Sequence, residues 1–244
     1  MLTIDFKYIN IRDNDCILDL GCGEGRHTLG TQLSFPKSNV IGVDISLEDL
    51  HLARKKHVSF ISCSEHENQT PDKGFLYHCG DAYKLPFADN TFDHIICSEV
   101  LEHLADDQLA IKEMTRVLKD KGSLNISVPR TWPEKICWVL SKEYHLVPGG
   151  HIRIFSAKTL QKNIEKYHFS KTKKHWAHAL HSPYWWLRCL FWEKEDNKQF
   201  WLVKQYHKIL VWDLMKKPWI TQKLEKFLNP IMGKSVVLYF TKKP

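Results

Sequence analysis

Three glycines in five residues, Gly21, Gly23 and Gly25, follow the apolar run CILDL (16–20) and precede a helical pattern. A backbone that turns sharply against a ligand has no room for Cβ atoms there, and the helix N-terminus beyond offers unpaired N–H groups. Cys22 lies inside the turn. G-x-G-x-G alone is a weak signal, because it also marks a plain turn between strand and helix. Acidic residues at strand ends sharpen it. Asp44 closes the second apolar run, NVIGVD (39–44), where a carboxylate accepts both hydroxyls of a ribose, and Ile45 follows it. Asp81 follows the third run, FLYHC (75–79), placed to meet an exocyclic adenine amine, with Ala82 offering backbone contacts. The fourth run, HIICS (94–98), ends at Ser98 beside the glycine turn, where ligands bind in a doubly wound sheet. Together these residues describe an adenosine pocket with a second, open end.

A dinucleotide site needs G-x-G-x-x-G to accommodate its pyrophosphate, whereas here Arg26, His27 and Thr28 follow the third glycine. Asp19 stands immediately before the turn. A carboxylate there repels a pyrophosphate and suits a ligand with an ammonium group. The combination favours S-adenosylmethionine over NAD.

Candidates for chemistry at the open end come from the next segments. His103, in SEVLEHL after the fourth run, is placed to act as a general base, or else to pack or cap a helix. Glu99, Glu102 and His103 have a spacing that helical phase brings to one face, a cluster able to hold a divalent cation or else charges at a helix start, and Glu99 is counted with the catalytic candidates. His151, in PGGHIRIFS, follows the Gly149–Gly150 pair and either swings over an acceptor or fixes the start of the next helix. Tyr144 and His145 share that loop. His175, His178 and His181 recur at spacing three, a stripe able to bind zinc if helical. No cysteine or carboxylate accompanies them at matching spacing, so no metal is assigned.

These side chains must be positioned by an alternating pattern. The four runs above and SLNISV (123–128) are short, nearly continuous apolar strands with helical segments between them. That texture indicates a parallel sheet covered on both faces and, with right-handed crossovers, a doubly wound α/β fold. The segment 62–74 reads as a surface insertion. From 129 to 155, Pro129, Pro133, Pro148 and the glycine pair break periodicity, which predicts a long acceptor loop with one short helix. Ser156 is a candidate N-cap for a helix over 156–168, and a strand is expected near 171–177. Residues 183–230 read as helical and aromatic, and SVVLYFTKK (235–243) as a last strand.

The order LDLGCGEG, VDIS, GDAYKLPFADNTFDHIICSEVLEHL and EMTRVLKDKGSLNISVP resembles the class I S-adenosylmethionine-dependent methyltransferases, particularly the small-molecule branch, over roughly residues 15–130. The resemblance implies a Rossmann-like fold with a mostly parallel seven-stranded sheet, its seventh strand antiparallel. It implies Asp19, Gly21 and Gly23 near the methionine end of the cofactor, Asp44 on the ribose, Asp81 on the adenine and Ser98 near the amino group. Some quinone-precursor methyltransferases similar to this stretch hold a metal at the Glu99, Glu102 and His103 positions; structural roles are the reading adopted for this chain. The organisation expected is a cofactor-binding core over 1–157, then 158–244 with a helical aromatic cap over about 178–234 and the closing strand 235–243.

Charge divides along the 244 residues. Residues 1–157 carry 17 basic and 22 acidic side chains, a balance of −5; residues 158–244 carry 18 and 6, a balance of +12. All nine tryptophans lie at or after Trp132. A basic, aromatic C-terminal third suits an active-site cap over an amphipathic acceptor, or a surface lying on an anionic membrane. Nucleic acid is disfavoured, because S-E-V-L follows the fourth strand in place of an N-P-P-Y or P-C signature. The seven cysteines are scattered and never in C-x-x-C spacing, which excludes a thiolate zinc site and a disulfide framework. No leader-like or bilayer-spanning run stands out, so a cytoplasmic location is expected, with peripheral membrane contact open. The function expected is methylation, at oxygen, of a small or lipid-like acceptor. Its competitors are a nucleic-acid or protein methyltransferase and a non-catalytic cofactor-binding subunit; the oligomeric state is undetermined.

Overall fold

The computed structural model describes residues 2–63, 76–147, 149–192 and 200–244. Most of the segment expected as a surface insertion, from residue 64 on, lies outside these, as do Phe75 and Pro148. The strands are β1 (Cys16–Leu20), β2 (Asn39–Asp44), β3 (Leu76–Cys79), β4 (Phe92–Ser98), β5 (Leu118–Pro129), β6 (Phe169–Ala177) and β7 (Ser235–Lys242). They form one sheet in the order β3-β2-β1-β4-β5-β7-β6. β1 to β5 pair in parallel, and β7 lies antiparallel between β5 and β6. Strand order reverses between β1 and β4, so the crevice for a ligand opens beyond their C-terminal ends.

The parallel strands are apolar on both faces because helices cover both. Ile95, Ile96 and Cys97 of β4 are fully buried. Ile95 and Cys97 face the main core with Ile111, Met114 and Leu160, while Ile96 faces Ile4, Ile17 and Tyr239 on the other side. Each buried isoleucine contributes about 1.5–3 kcal/mol relative to exposure. The helices are α1 (Arg26–Ser34), α2 (Leu47–Cys63), α3 (Asp107–Val117), α4 (Thr131–Leu140), α5 (Glu143–Leu146), α6 (Ala157–Glu165), α7 (His181–Leu190), α8 (Trp201–Lys216) and α9 (Trp219–Met232).

Three expectations need correction. The acceptor loop 129–155 holds two helices, α4 and α5, where one short helix was expected. Pro133 does not break α4, because it sits in the first turn, where no intrahelical N–H bond is required. Ser156 occupies the N-cap position of α6, yet its side chain makes no capping bond. The histidines 175, 178 and 181 are no helical stripe: His175 lies in β6, His178 sits at a corner with φ of 65°, and His181 is the first residue of α7.

Candidate active site

The glycine turn is held to β2 by two backbone bonds, from Gly21 N and Cys22 N to the Val43 carbonyl, at 2.7 and 3.0 Å. Gly21 has φ of 67°, and a Cβ there would meet Val100 Cγ2 at 2.3 Å. Any side chain would force the turn away from the segment after β4. Gly23, with φ of 50°, is the opposite case, since a Cβ would meet nothing within 4 Å. The space is bounded by Asp44, whose Oδ2 accepts from Gly23 N at 2.7 Å and whose Oδ1 accepts from Ser46 N at 2.9 Å. Each carboxylate oxygen keeps a second lone pair for ribose hydroxyls.

Beside Asp44, Ile45 is 73% exposed, an apolar side chain at a strand end. Asp81 is exposed too and closes its own turn, accepting from Tyr83 N at 2.9 Å. Ala82 packs partly into the main core. An open cradle at Gly23, a bare apolar face at Ile45 and carboxylates at 44 and 81 fit a nucleoside.

Asp19 stands just before the turn. It is 2% exposed and lies beneath the turn, where its Oδ2 accepts from Thr28 Oγ1 at 2.6 Å. The strand alternation that places Leu18 and Leu20 in the main core turns Asp19 toward α1. Burial pushes its carboxyl up to about 6, against the Thr28 bond and the Arg26 charge that favour ionisation. In this position it pins the first turn of α1.

Beyond β4 the chain does not enter an α-helix. Glu99 has φ of 59°, and only a 3-10 turn, Leu101–His103, follows. The expected single face of Glu99, Glu102 and His103 is therefore absent. Ser98 and Ser127 share a hydrogen bond at 2.9 Å, and Ser127 Oγ donates to Glu99 Oε1 at 2.9 Å. With Ser127 donating to Glu99, Ser98 donates to Ser127. Glu102 is fully buried, with a carboxylate oxygen within 4.8 Å of ring nitrogens of His103 and His151, and burial, Glu99 and Glu134 push its carboxyl well up.

His103 donates from Nδ1 to the Gly150 carbonyl at 3.2 Å and meets the His151 ring edge-on at 4.9 Å between centroids. Burial, then His151, lowers its pKa. His151 Nδ1 is 2.5 Å from Oε1 of Glu134, which is 2% exposed. The two histidines expected to reach an acceptor are thus brought together and tied to the loop.

A cavity of about 510 Å3 lies over the C-terminal end of the sheet. Glu99 and Arg26 line it on the core side, and Tyr184, Trp185, Leu210 and Leu214 line it from α7 and α8. Arg188 and Lys234 add positive charge, and His178, His181 and His207 complete much of the wall. Neither His103 nor His151 is among the described residues lining it. A larger opening, about 790 Å3, lies between the N-terminal segment and α9 and touches neither the glycine turn nor Glu99. Cavity size alone is therefore a poor guide here; adjacency to the cofactor groove selects the smaller one. Sequence reasoning missed Arg26, Ser127, Arg188 and Lys234, because topology rather than spacing brings them together.

Residues 18–126 match the family described as a methyltransferase domain. They are a class I S-adenosylmethionine-dependent methyltransferase domain. The strand order and the glycine turn belong to that domain, whose sheet β6 and β7 complete. The chain is 38% identical over 124 residues to an uncharacterized methyltransferase of Schizosaccharomyces pombe, covering 49% of this chain and 41% of that protein. It is 31% identical over 168 residues to a demethylmenaquinone methyltransferase of Lactobacillus johnsonii, covering 67% and 62%. The chain thus spans 41% and 62% of the lengths of these two relatives.

Among solved structures, the fold matches the YcgJ protein of Bacillus subtilis with a TM-score of 0.62 at 19% identity, over 98% of this chain and 96% of that one. It also matches phosphoethanolamine N-methyltransferase 2 of Haemonchus contortus, solved with S-adenosylmethionine, with a TM-score of 0.60 at 19% identity, over 98% and 51%.

Proposed function

We propose that the chain transfers a methyl group from S-adenosylmethionine to a small amphipathic or lipid-like acceptor bearing an anionic group, at an oxygen atom. The observation that carries this reading is Glu99, which stands where the nucleoside groove meets a cavity with aromatic and apolar walls and three cationic side chains. The demethylmenaquinone methyltransferase among the relatives supports a small-molecule acceptor.

When bound, S-adenosylmethionine supplies an electrophilic methyl group on a sulfonium sulfur. The open cradle at Gly23 admits the nucleoside, Asp44 accepts its ribose hydroxyls, and Asp81 with the exposed Ile45 receives the adenine. Ser98, beside the turn, keeps its oxygen lone pairs for the ammonium end. Arg26, Arg188 and Lys234 hold the anionic group of the acceptor, while Trp185, Leu210 and Leu214 take its apolar part and exclude water. Glu99, fixed through Ser127, takes the proton of the acceptor hydroxyl as oxygen attacks in line. Alignment supplies much of the rate and the base a further factor of about 10² or more. His103 and His151 act through the loop, by holding Gly150 and Glu134 in place.

The same reading puts the protein at a membrane periphery on the cytoplasmic side. α8 and α9 leave Trp201, Trp212, Met215, Trp219 and Phe227 between 50% and 73% exposed, among exposed lysines. No helix among the described residues is long and apolar enough to cross a membrane.

Calorimetry on the purified chain tests the cofactor half. S-adenosylmethionine is expected to bind, NAD to bind far more weakly, and Asp44→Ala to lower the affinity at least tenfold. Unchanged affinity in that variant, or tighter NAD binding, would refute the pocket. Steeply salt-dependent binding of tRNA or DNA would favour the nucleic-acid reading instead.

A further inference from the structure

The run SLNISV in β5 alternates polar and apolar positions, which a strand covered on both faces does not require. Leu124 and Ile126 face the main core, so the alternation turns Ser123, Asn125 and Ser127 toward the other face. Ser127 belongs to the methyl-transfer site; Ser123 and Asn125 do not. Ser123 pairs in register with His94, four residues before Ser98. At roughly 3.3 Å per residue that places it about 13 Å from Ser98, toward the end of the sheet away from the cofactor groove.

The hydrogen bonds here run in one direction. Asn125 is fully buried, and its Nδ2 donates to the Ile95 carbonyl at 3.0 Å, which fixes the amide orientation, and to Ser123 Oγ at 3.0 Å. The single hydrogen of the Ser123 hydroxyl is then available to His94 Nδ1, 2.8 Å away. His94 Nε2 lies 3.0 Å from Asp15 Oδ2, so with Nδ1 accepting, Nε2 carries the ring hydrogen and donates it to the carboxylate. Asp15 Oδ2 is itself held by Arg12 N at 2.7 Å. Burial and Lys119, outweighing Asp15 and Asp93, lower the His94 pKa and keep the ring neutral. A hydroxyl aimed at a neutral imidazole whose far nitrogen is held by a carboxylate is the arrangement that makes serine a nucleophile. The ring is reversed relative to the serine proteases, with Nδ1 toward the serine, but either nitrogen can accept a proton.

The group opens to solvent. Ser123 is half-buried and, with Asp15, His94 and Asn125, lines an opening of about 440 Å3. Tyr8, Ile9 and Phe240 make part of its wall apolar. Of the charges around it, Asp93 pairs with Lys119 at 2.8 Å and Asp120 with Lys242 at 3.2 Å. Arg12 and Lys121 are exposed, with no side-chain partner among the described residues. Asn125 Oδ1 is buried without a partner among those residues, an acceptor that a hydroxyl in the opening would satisfy. We propose that Ser123, His94 and Asp15 form a second reactive centre, a serine nucleophile that hydrolyses small carboxylic esters independently of methyl transfer. Ser123 Oγ attacks the acyl carbon as its hydrogen passes to His94 Nδ1; the ester C–O bond breaks, and the alcohol leaves with that proton. Water then gives a proton to His94 and attacks the acyl carbon, the bond to Ser123 Oγ breaks, and Oγ takes the proton back. Asp15 holds the ring tautomer, and Arg12 and Lys121 offset the charge of the oxyanion.

The test uses the full chain, an alkyl fluorophosphonate and p-nitrophenyl acetate. The fluorophosphonate is expected to label Ser123 in the folded protein, as located by mass spectrometry of the digest, and not in the urea-unfolded one. p-Nitrophenyl acetate is expected to release nitrophenol with an initial burst of about one equivalent. His94→Gln keeps a hydrogen-bonding group between Ser123 and Asp15 but takes no proton. It should slow labelling about 10²-fold or more while S-adenosylmethionine binding is retained. Asp15→Asn should slow labelling at least tenfold, and Asp15→Glu restore part of the rate. Absence of label on Ser123 in the unaltered protein, label elsewhere only, or equal labelling of the folded and unfolded chains would overturn the proposal, whether or not the variants fold. Labelling of Ser123 at an unchanged rate in a folded His94→Gln variant would do the same, and would leave the three residues as a staple between β1, β4 and β5.

Discussion

Asp19 shows how one residue's setting changes its chemistry. Its position before the glycine turn invites the reading of a ligand contact, but alternation along β1 buries it against Thr28. A carboxyl raised from 3.8 to about 6 binds its proton more tightly in the folded chain than in the unfolded one. Ionisation therefore opposes folding above about pH 6, and the penalty fades as pH falls from there toward the unfolded value. The shift corresponds to about 3 kcal/mol at neutral pH. Asp19→Asn is expected to stabilise the chain by up to that amount at pH 7.5, and by little near pH 4, as read from urea unfolding at both values. An equal gain at the two pH values would mean that ionisation is not the cause. The acidic and glycine positions were legible in the sequence because strand ends and turns are local. The Ser98–Ser127–Glu99 relay was not, since it joins two strands through parallel pairing.

At the scale of elements, the strands were legible because a two-sided parallel sheet writes itself as unbroken apolar runs. Boundaries moved where local chemistry intervened. β5 starts at Leu118 rather than at 123, and a register shift opposite β4 accommodates the extra residues at Lys121, whose φ is 65°. The helices of 131–146 were hidden by Pro133, which is harmless in a first turn. α8 and α9 hold more apolar and lysine positions than a core takes. Val203 and Leu210 point inward, while Trp212 and Met215 remain outside. Lys223 covers the Trp219 ring at 5.0 Å. Tryptophans among lysines suit the interface of an anionic bilayer, where each lysine near the surface adds about 1 kcal/mol. The chain is expected to cosediment with phosphatidylglycerol-containing vesicles at low salt and to release as salt rises. Trp212→Asp with Trp219→Asp should cut that binding at least tenfold. Equal binding to neutral vesicles, or no effect of the pair, would leave these helices as an active-site cap only.

In the whole molecule, the cavity beside Glu99 is walled both by the acidic core and by the basic, aromatic C-terminal third. The core is the part shared with known methyltransferases, and the proposed reading assigns the choice of acceptor to the cap. α8 supplies both Leu210 and Leu214 to the cavity and Trp212 and Met215 to the outer surface. An acceptor drawn from a membrane would therefore pass one helix before meeting the cofactor groove. The central claim is methyl transfer to such an acceptor, and methyl-labelled S-adenosylmethionine incubated with the protein and a fractionated cell extract tests it most directly. Label is expected in an organic-extractable, anionic product, with its formation reduced about 10²-fold or more by Glu99→Gln and far less by His103→Ala. Label confined to RNA, DNA or protein, or no transfer from any fraction despite cofactor binding, would contradict the account.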